Sequence, residues 1–231
     1  LVQSLENGGN GFGFITLNPY ATNLLKANAN DQRIGNYYVF EYRYNDPQTL
    51  PAGKKIGDPL DQYKNVAADD DFFMFFKRQS PGIIKVFDDT VAPTDRMHFK
   101  NIMLYRLAET YLIGAEAHLE NGNTSKASEY LNAVRQRAGI DPISSPSIEI
   151  ILEERARELA FEGQRWYSLK RRGILYDYLM DHMNSDLLNE YYARNHVNPK
   201  AVYQPYMVNL PIPQGVLDLL GSSYSQNEGY Y

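Results

Sequence analysis

Ile151-Leu152-Glu153-Glu154-Arg155-Ala156-Arg157-Glu158-Leu159-Ala160-Phe161-Glu162-Gly163-Gln164-Arg165-Trp166 is the stretch on which the fold class turns. Ser147 precedes it, and Glu149 to Glu154 load the first turns with negative charge, which a helix N-terminus favours. The pattern predicts a helix from about Ser147 to Arg172-Gly173. Glu154, Glu158 and Glu162 then stand at i, i+4 and i+8 on one face, with Arg155, Arg157 and Arg165 interleaved. Paired carboxylates can do acid/base work. They can equally form a structural ladder of ion pairs, Glu153 with Arg157, Glu154 with Arg157 and Glu162 with Arg165. The ladder is the better reading, because such networks are common away from active sites.

Upstream, Leu104, Leu107, Ala108, Tyr111, Leu112, Ala115 and Leu119 follow helical spacing, and Asn121-Gly122 stops that helix. Thr124 or Ser125 can cap the next helix, whose apolar stripe is Ala127, Tyr130, Leu131 and Val134. Gly139 ends it, and Asp141-Pro142 opens a loop. Ala115, Gly122, Ala127 and Leu131 give this antiparallel pair tetratricopeptide-like spacing. There is no second copy at a period of ~34 residues. Downstream, a tyrosine-rich stretch over 174–194 reads as helical. The tail, 196–231, holds Leu210-Pro211-Ile212-Pro213 and a short helix near 214–220.

Residues 1–98 differ in character. They are rich in Gly, Asn, Asp, Pro and Tyr, with turn signals at Gly8-Gly9-Asn10-Gly11 and Asp46-Pro47. Strand candidates are Tyr37 to Tyr44, Phe72 to Phe76 and Ile83 to Phe87. The expected fold is therefore mainly α. It has one tetratricopeptide-like helix pair and an irregular, loop-rich part with a few short β-strands. Residues 1–98 form the loop-rich, ligand-facing segment and 99–231 the helical scaffold, together making one structural unit.

Composition narrows the function. The 231 residues carry a formal charge of −5, which argues against a nucleic-acid partner. No apolar run approaches the ~18 residues of a membrane span. The absence of cysteine excludes disulfides and cysteine-based zinc sites. His98, His118, His182 and His196 are too far apart for a local metal pair. Asp69-Asp70-Asp71, near Asp58 and Asp61, could offer oxygen ligands to calcium, although the spacing is not that of an EF-hand and solvated loop charge explains it as well. There is no GxSxG, P-loop or complete GxGxxG. No catalytic residue, metal or cofactor is expected. Tyrosine is abundant, 19 residues against a single tryptophan, and its flat ring with a polar tip suits wet binding surfaces. Trp166 could be a sugar platform, but seven residues after Leu159 on a helix it reads better as core.

Three segments together resemble the SusD/RagB family. One is Tyr105-Arg106-Leu107-Ala108-Glu109-Thr110-Tyr111-Leu112 with Ala115-Glu116-Ala117 and Leu131-Asn132-Ala133-Val134-Arg135-Gln136-Arg137-Ala138-Gly139. Another is 151–166, quoted above. The last is Leu210-Pro211-Ile212-Pro213-Gln214 followed by Gln226-Asn227-Glu228-Gly229-Tyr230. Residues 1–98 match only loosely, through Asn30-Asp31-Gln32-Arg33 and Ile83 to Phe87. Tyr167-Ser168-Leu169 stands where the family has a Phe-Asp-Leu-like triplet, and Glu228 where a proline is usual.

The resemblance implies the SusD-like α-helical fold. It also implies a non-enzymatic protein on the outer membrane surface of a Bacteroidetes-type cell. Such a protein captures an oligosaccharide or another nutrient and delivers it to a SusC-like TonB-dependent transporter. The N-terminal half, with the lipid-anchored cysteine that is its only link to the membrane, is expected to lie outside this chain. Ligand contacts in the family come from variable loops. A sugar offers an apolar C–H face to aromatic rings and a hydroxyl rim to polar groups. Tyr42, Tyr44, Tyr63, Phe72 and Phe73 are the candidate platforms, with Arg43, Asn45 and Asp61 as polar partners. The other reading of Phe72 and Phe73 is a buried strand. Two other functions fit the residues less well, a tetratricopeptide-like protein-interaction module and a glycoside hydrolase fragment.

Overall fold

The computed structural model describes residues 17–60, 81–86, 88, 90–92, 99–183, 199–221 and 223–230. Helix α1 (Pro19–Lys26) is capped by the Asn18 side chain and is followed by the short turn α2 (Arg33–Asn36). Strands β1 (Tyr38–Val39) and β2 (Gly82–Ile83) pair antiparallel, Tyr38 opposite Ile83. Of the three expected strands, those around Tyr37 and Ile83 thus survive as a two-residue pair. The one at Phe72 to Phe76 lies outside the described residues.

Helices α3 (Leu107–Glu120) and α4 (Thr124–Arg137) form the expected hairpin. Each ends in the same way. Gly122 N–H bonds the Leu119 carbonyl while Asn123 N–H reaches back to His118; Gly139 and Ile140 repeat this on Gln136 and Arg135. Both glycines have φ of 74°, the left-handed conformation this helix ending requires. Two boundaries differ from the sequence reading. The cap of α4 is Asn123, whose side chain accepts from Lys126 N–H at 3.1 Å. Helix α3 begins at Leu107 and not near Leu104, because Arg106 is held extended, φ −148° and ψ 161°.

Helix α5 (Ile148–Glu158) starts at the expected Ser147 cap. It does not run on to Arg172. Its end is set by donors from distant segments. Tyr38 Oη–H donates to the Arg157 carbonyl at 3.2 Å, and Lys85 and Arg106 both donate to the Glu158 carbonyl at 2.6 Å. A helix whose last carbonyls are taken by outside donors can stop there. Phe161 then adopts φ 67° and packs against Leu17, Leu25 and Tyr38.

The described contacts fall into two compact units, Leu1–Glu162 and Gly163–Tyr231. In the first, the core is Leu112, Ala115, Leu131, Val134, Ile151 and Leu159, joining α3, α4 and α5. The second holds α6 (Arg165–Arg171), α7 (Leu175–His182), α8 (Pro199–Val202), a 3-10 turn (Pro205–Val208) and α9 (Gln214–Leu220). Leu169 and Leu175 are its buried hydrophobic residues among those described. Trp166 is half-buried and edge-on to Tyr203, which stacks on Tyr176. The Gln226 side chain bonds both N–H and carbonyl of Ile212, at 2.7 and 2.8 Å, and Asn227 bonds the Leu210 carbonyl at 2.7 Å. The two halves of the tail motif are therefore tied together. Among the described residues, no helix is long and apolar enough to cross a membrane.

Candidate ligand-binding segment

Two features carry polar chemistry: the arginine–carboxylate cluster around α5, and the aromatic segment at 42–45.

The buried carboxylates of the cluster, Asp31, Glu154 and Glu158, are all engaged by arginines. Glu154 Oε1 accepts from Arg33 at 2.8 Å, and its Oε2 accepts from Arg135 at 2.9 Å and Arg157 at 3.0 Å. Glu158 accepts from Arg33 at 3.1 Å, Arg106 at 2.6 Å and Arg137 at 2.5 Å. Asp31 takes the other edge of Arg33, at 2.7 and 2.8 Å. Arg33, Asp31, Glu154 and Glu158 are all buried. Burial alone would favour a neutral Arg33, but Asp31 and Glu154 more than offset this and raise its pKa. Two expected ladder pairs are present, Glu153–Arg157 and Glu154–Arg157. Glu162 lies beyond the end of α5 and binds Arg106, at 2.7 and 2.9 Å, and Lys85. These are partners that helical spacing does not provide. Through these carboxylates α5 is tied to arginines on other segments, Arg33, Arg106 and Arg135, so the cluster is a structural network.

Glu162 gives it a testable pH signature. Burial works to raise its carboxyl, but the bonds from Arg106 and Lys85 prevail and hold it below its ordinary 4.5. A folded pKa below the unfolded one contributes stability above pH 4.5, and that contribution is lost as pH falls through the folded value. The Tm difference between wild type and Glu162→Gln should therefore be large at about pH 7 and shrink steadily below about pH 4.5. A difference that stays constant down the acid limb would show that Glu162 is not the titrating group.

The aromatic segment is a folded ribbon. Tyr42 and Tyr44 run antiparallel to 57–60. Leu60 N–H bonds the Tyr42 carbonyl at 2.7 Å, Tyr44 N–H the Asp58 carbonyl at 3.0 Å, and Gly57 N–H the Tyr44 carbonyl at 2.8 Å. Arg43 bridges to Pro59. Asp46 turns the chain by accepting from Gln48 N–H and the Thr49 hydroxyl, both at 2.9 Å. The hydroxyl end of Tyr42 abuts Gly82, where a Cβ would sit 2.4 Å from that oxygen. Burial pushes the Tyr42 pKa up. Tyr44 is half-buried with the Lys54 amine 5.9 Å from its ring centre. Arg43 is 58% exposed, pairs with Glu41 and donates to the Gly57 carbonyl at 2.7 Å. Of the eight candidates, Tyr42, Arg43, Tyr44 and Asn45 are thus consecutive on one ribbon. Asp61, Tyr63, Phe72 and Phe73 lie outside the described residues. Lys54 was not singled out from sequence, although Pro51 and Gly53 signal the turn that returns it. Among the described residues, no group of acidic or histidine side chains could hold a metal.

Residues 8–230 match the SusD family. The chain belongs to that family. It is 32% identical over 186 residues to the SusD-like protein P25 of Formosa agariphila, covering 74% of this chain and 33% of that one. It is 33% identical over 134 residues to the starch-binding protein SusD of Bacteroides thetaiotaomicron, covering 56% and 22%. A laminarin-binding SusD-like protein of known structure superposes with a TM-score of 0.50 over 93% of this chain and 38% of that one, at 22% identity. That likeness carries the fold: a helical SusD-like architecture with few strands. The matched stretch spans a third or less of the curated relatives.

Proposed function

We propose that this SusD-family chain is part of a cell-surface protein that binds oligosaccharide without cleaving it. The protein hands its ligand to a TonB-dependent outer-membrane transporter and is held at the surface by a lipid anchor in its full-length form. The observation that carries the reading is the family match over 8–230. The names of the starch-binding and laminarin-binding relatives support a glycan as ligand. The chemistry of the scaffold agrees with binding, since the carboxylates of α5 are committed to arginines.

The ligand surface is assigned to the loop-rich segment 1–98, with Tyr42, Arg43, Tyr44 and Asn45 joined by Asp61, Tyr63, Phe72 and Phe73. Tyr44 is the anchor: its ring offers one face to a sugar, and Arg43 and Asn45 supply rim contacts. Calorimetric titration of the full-length protein with starch and laminarin oligosaccharides, then a wider glycan panel, should give heat with at least one glucan. Tyr44→Ala should cost about 2 kcal/mol or more, on the order of 30-fold in Kd. Arg43→Ala, already tied to Glu41 and Gly57, should change Kd little. No heat with any glycan, or new reducing ends on incubation with the best ligand, would sink the reading.

A further inference from the structure

The ribbon that carries Tyr44 leaves the β1–β2 pair through Phe40 and Glu41. Its backbone bonds, Leu60 N–H to Tyr42, Tyr44 N–H to Asp58 and Gly57 N–H to Tyr44, fold it on itself. None of these three bonds fixes it to the core. The strand pair, by contrast, is fixed. Tyr38 is buried with Leu17 and Leu25, Ile83 packs against that cluster, and the Tyr38 hydroxyl donates to the Arg157 carbonyl at the end of α5. Gly82 stands opposite Val39 in this pair.

Tyr42 connects the ribbon to that base. Its hydroxyl end lies where a side chain on Gly82 would go. A Cβ on Gly82 would overlap the hydroxyl oxygen. It would stand 3.5 Å from the ring carbon Cζ and 3.6 Å from Val39 Cβ, both ordinary van der Waals contacts. The φ of Gly82 is not positive, so the backbone would accept alanine. The single oxygen of Tyr42 is therefore what demands glycine at 82. A glycine inside a strand often marks such a close approach.

We propose that Gly82 is a socket and Tyr42 its peg, together setting the ribbon on the strand pair, and that Tyr42 serves the ligand surface by positioning Tyr44 and not by touching the sugar. A binding group is only as precise as the residues that support it. Gly82 becomes a determinant of affinity although it has no side chain to offer a ligand. This inference rests on the reading of Tyr44 as the glycan anchor.

A double-mutant cycle on the full-length protein tests it, with hydrogen exchange as a readout that needs no ligand. Gly82→Ala should speed exchange of the Tyr44, Gly57 and Leu60 amides by about 10-fold or more. It should also weaken binding of starch or laminarin oligosaccharides about 10-fold per folded molecule. In a Tyr42→Phe background the oxygen is gone, and adding Gly82→Ala should change neither quantity. In a Tyr44→Ala background Gly82→Ala should cause no further loss of affinity, since the anchor it positions is absent. Exchange that ignores Gly82→Ala, or a Gly82→Ala effect that persists with Phe at 42, would overturn the socket. A further loss of affinity in the Tyr44→Ala background would show Tyr42 touching the ligand itself and overturn the positioning role. If the wild type gives no heat with either glucan, the glycan reading fails while the exchange data still decide whether the socket exists.

Discussion

Replacing Arg33 by methionine should bring the first unit close to unfolding. The guanidinium is 2% exposed and reaches three carboxylates, Asp31, Glu154 and Glu158, all of them buried. Methionine keeps much of the volume and removes the charge, leaving three anions facing one another in a site shielded from water. Glu158 would still have Arg106 and Arg137, and Glu154 would still have Arg135 and Arg157. Among the described residues Asp31 has no second ion-pair partner, and the bond its carboxylate accepts from the Arg33 backbone N–H persists without the guanidinium. Breaking a buried pair on one side costs about 3–5 kcal/mol. That is a large share of a typical domain stability of about 5–15 kcal/mol. The loss would appear as a lowered urea midpoint with the slope retained, or as a chain unfolded at room temperature. Adding Asp31→Asn to Arg33→Met should recover part of it, because one stranded charge is removed with its partner. By contrast, Lys126→Ala breaks the exposed pair with Glu129 and should leave the midpoint where it is. A small loss for Arg33→Met with no recovery in the double variant would mean that the network is not held through Arg33.

The same residue illustrates what the sequence could and could not disclose. The α3–α4 hairpin was legible because its signals are local: an apolar period, a stop at Gly122, another at Gly139, and Ser147 to restart. The end of α5 was not. Between Ile151 and Trp166 nothing local opposes a continuous helix except Gly163, and glycine inside a helix costs only about 1 kcal/mol. The break comes from Tyr38, Lys85 and Arg106, which are far away in sequence and converge on the carbonyls of Arg157 and Glu158. Arg33 itself lay in a four-residue match, Asn30 to Arg33, too short to reveal that it reaches across more than 120 residues to Glu154 and Glu158. In the loop-rich part, the run Tyr42-Arg43-Tyr44-Asn45 could be singled out from the sequence as a candidate. The return of Lys54 to Tyr44 could not, because it depends on how the loop between Asp46 and Gly57 closes.

Gly229→Ala should destabilise the second unit by roughly 2–5 kcal/mol, from two additive causes. Gly229 has φ of 85°, where a Cβ is strained against its own backbone. The added carbon would also fall 2.3 to 2.6 Å from three ring atoms of Tyr206. That ring cannot simply swing away, because it stands edge-on to Tyr230, 5.1 Å between centres and 90° between planes. Left-handed backbone costs a non-glycine residue about 1–2 kcal/mol, and overpacking typically costs about 1–3 kcal/mol. Relief would require moving the tail, which Gln226 and Asn227 hold against Ile212 and Leu210. Gly215→Ala makes the same chemical change on α9, where a Cβ would meet nothing within 4 Å and φ is not positive. It should be neutral or stabilise by up to about 1 kcal/mol, since alanine is the better helix former. Thermal unfolding of the two variants side by side separates the causes: opposite signs mean that Tyr206 and the left-handed turn dictate glycine at 229. Equal shifts would mean that the tail does not close on Tyr206, and the pairing of Leu210-Pro211-Ile212-Pro213 with Gln226 to Tyr230 would lose its physical basis.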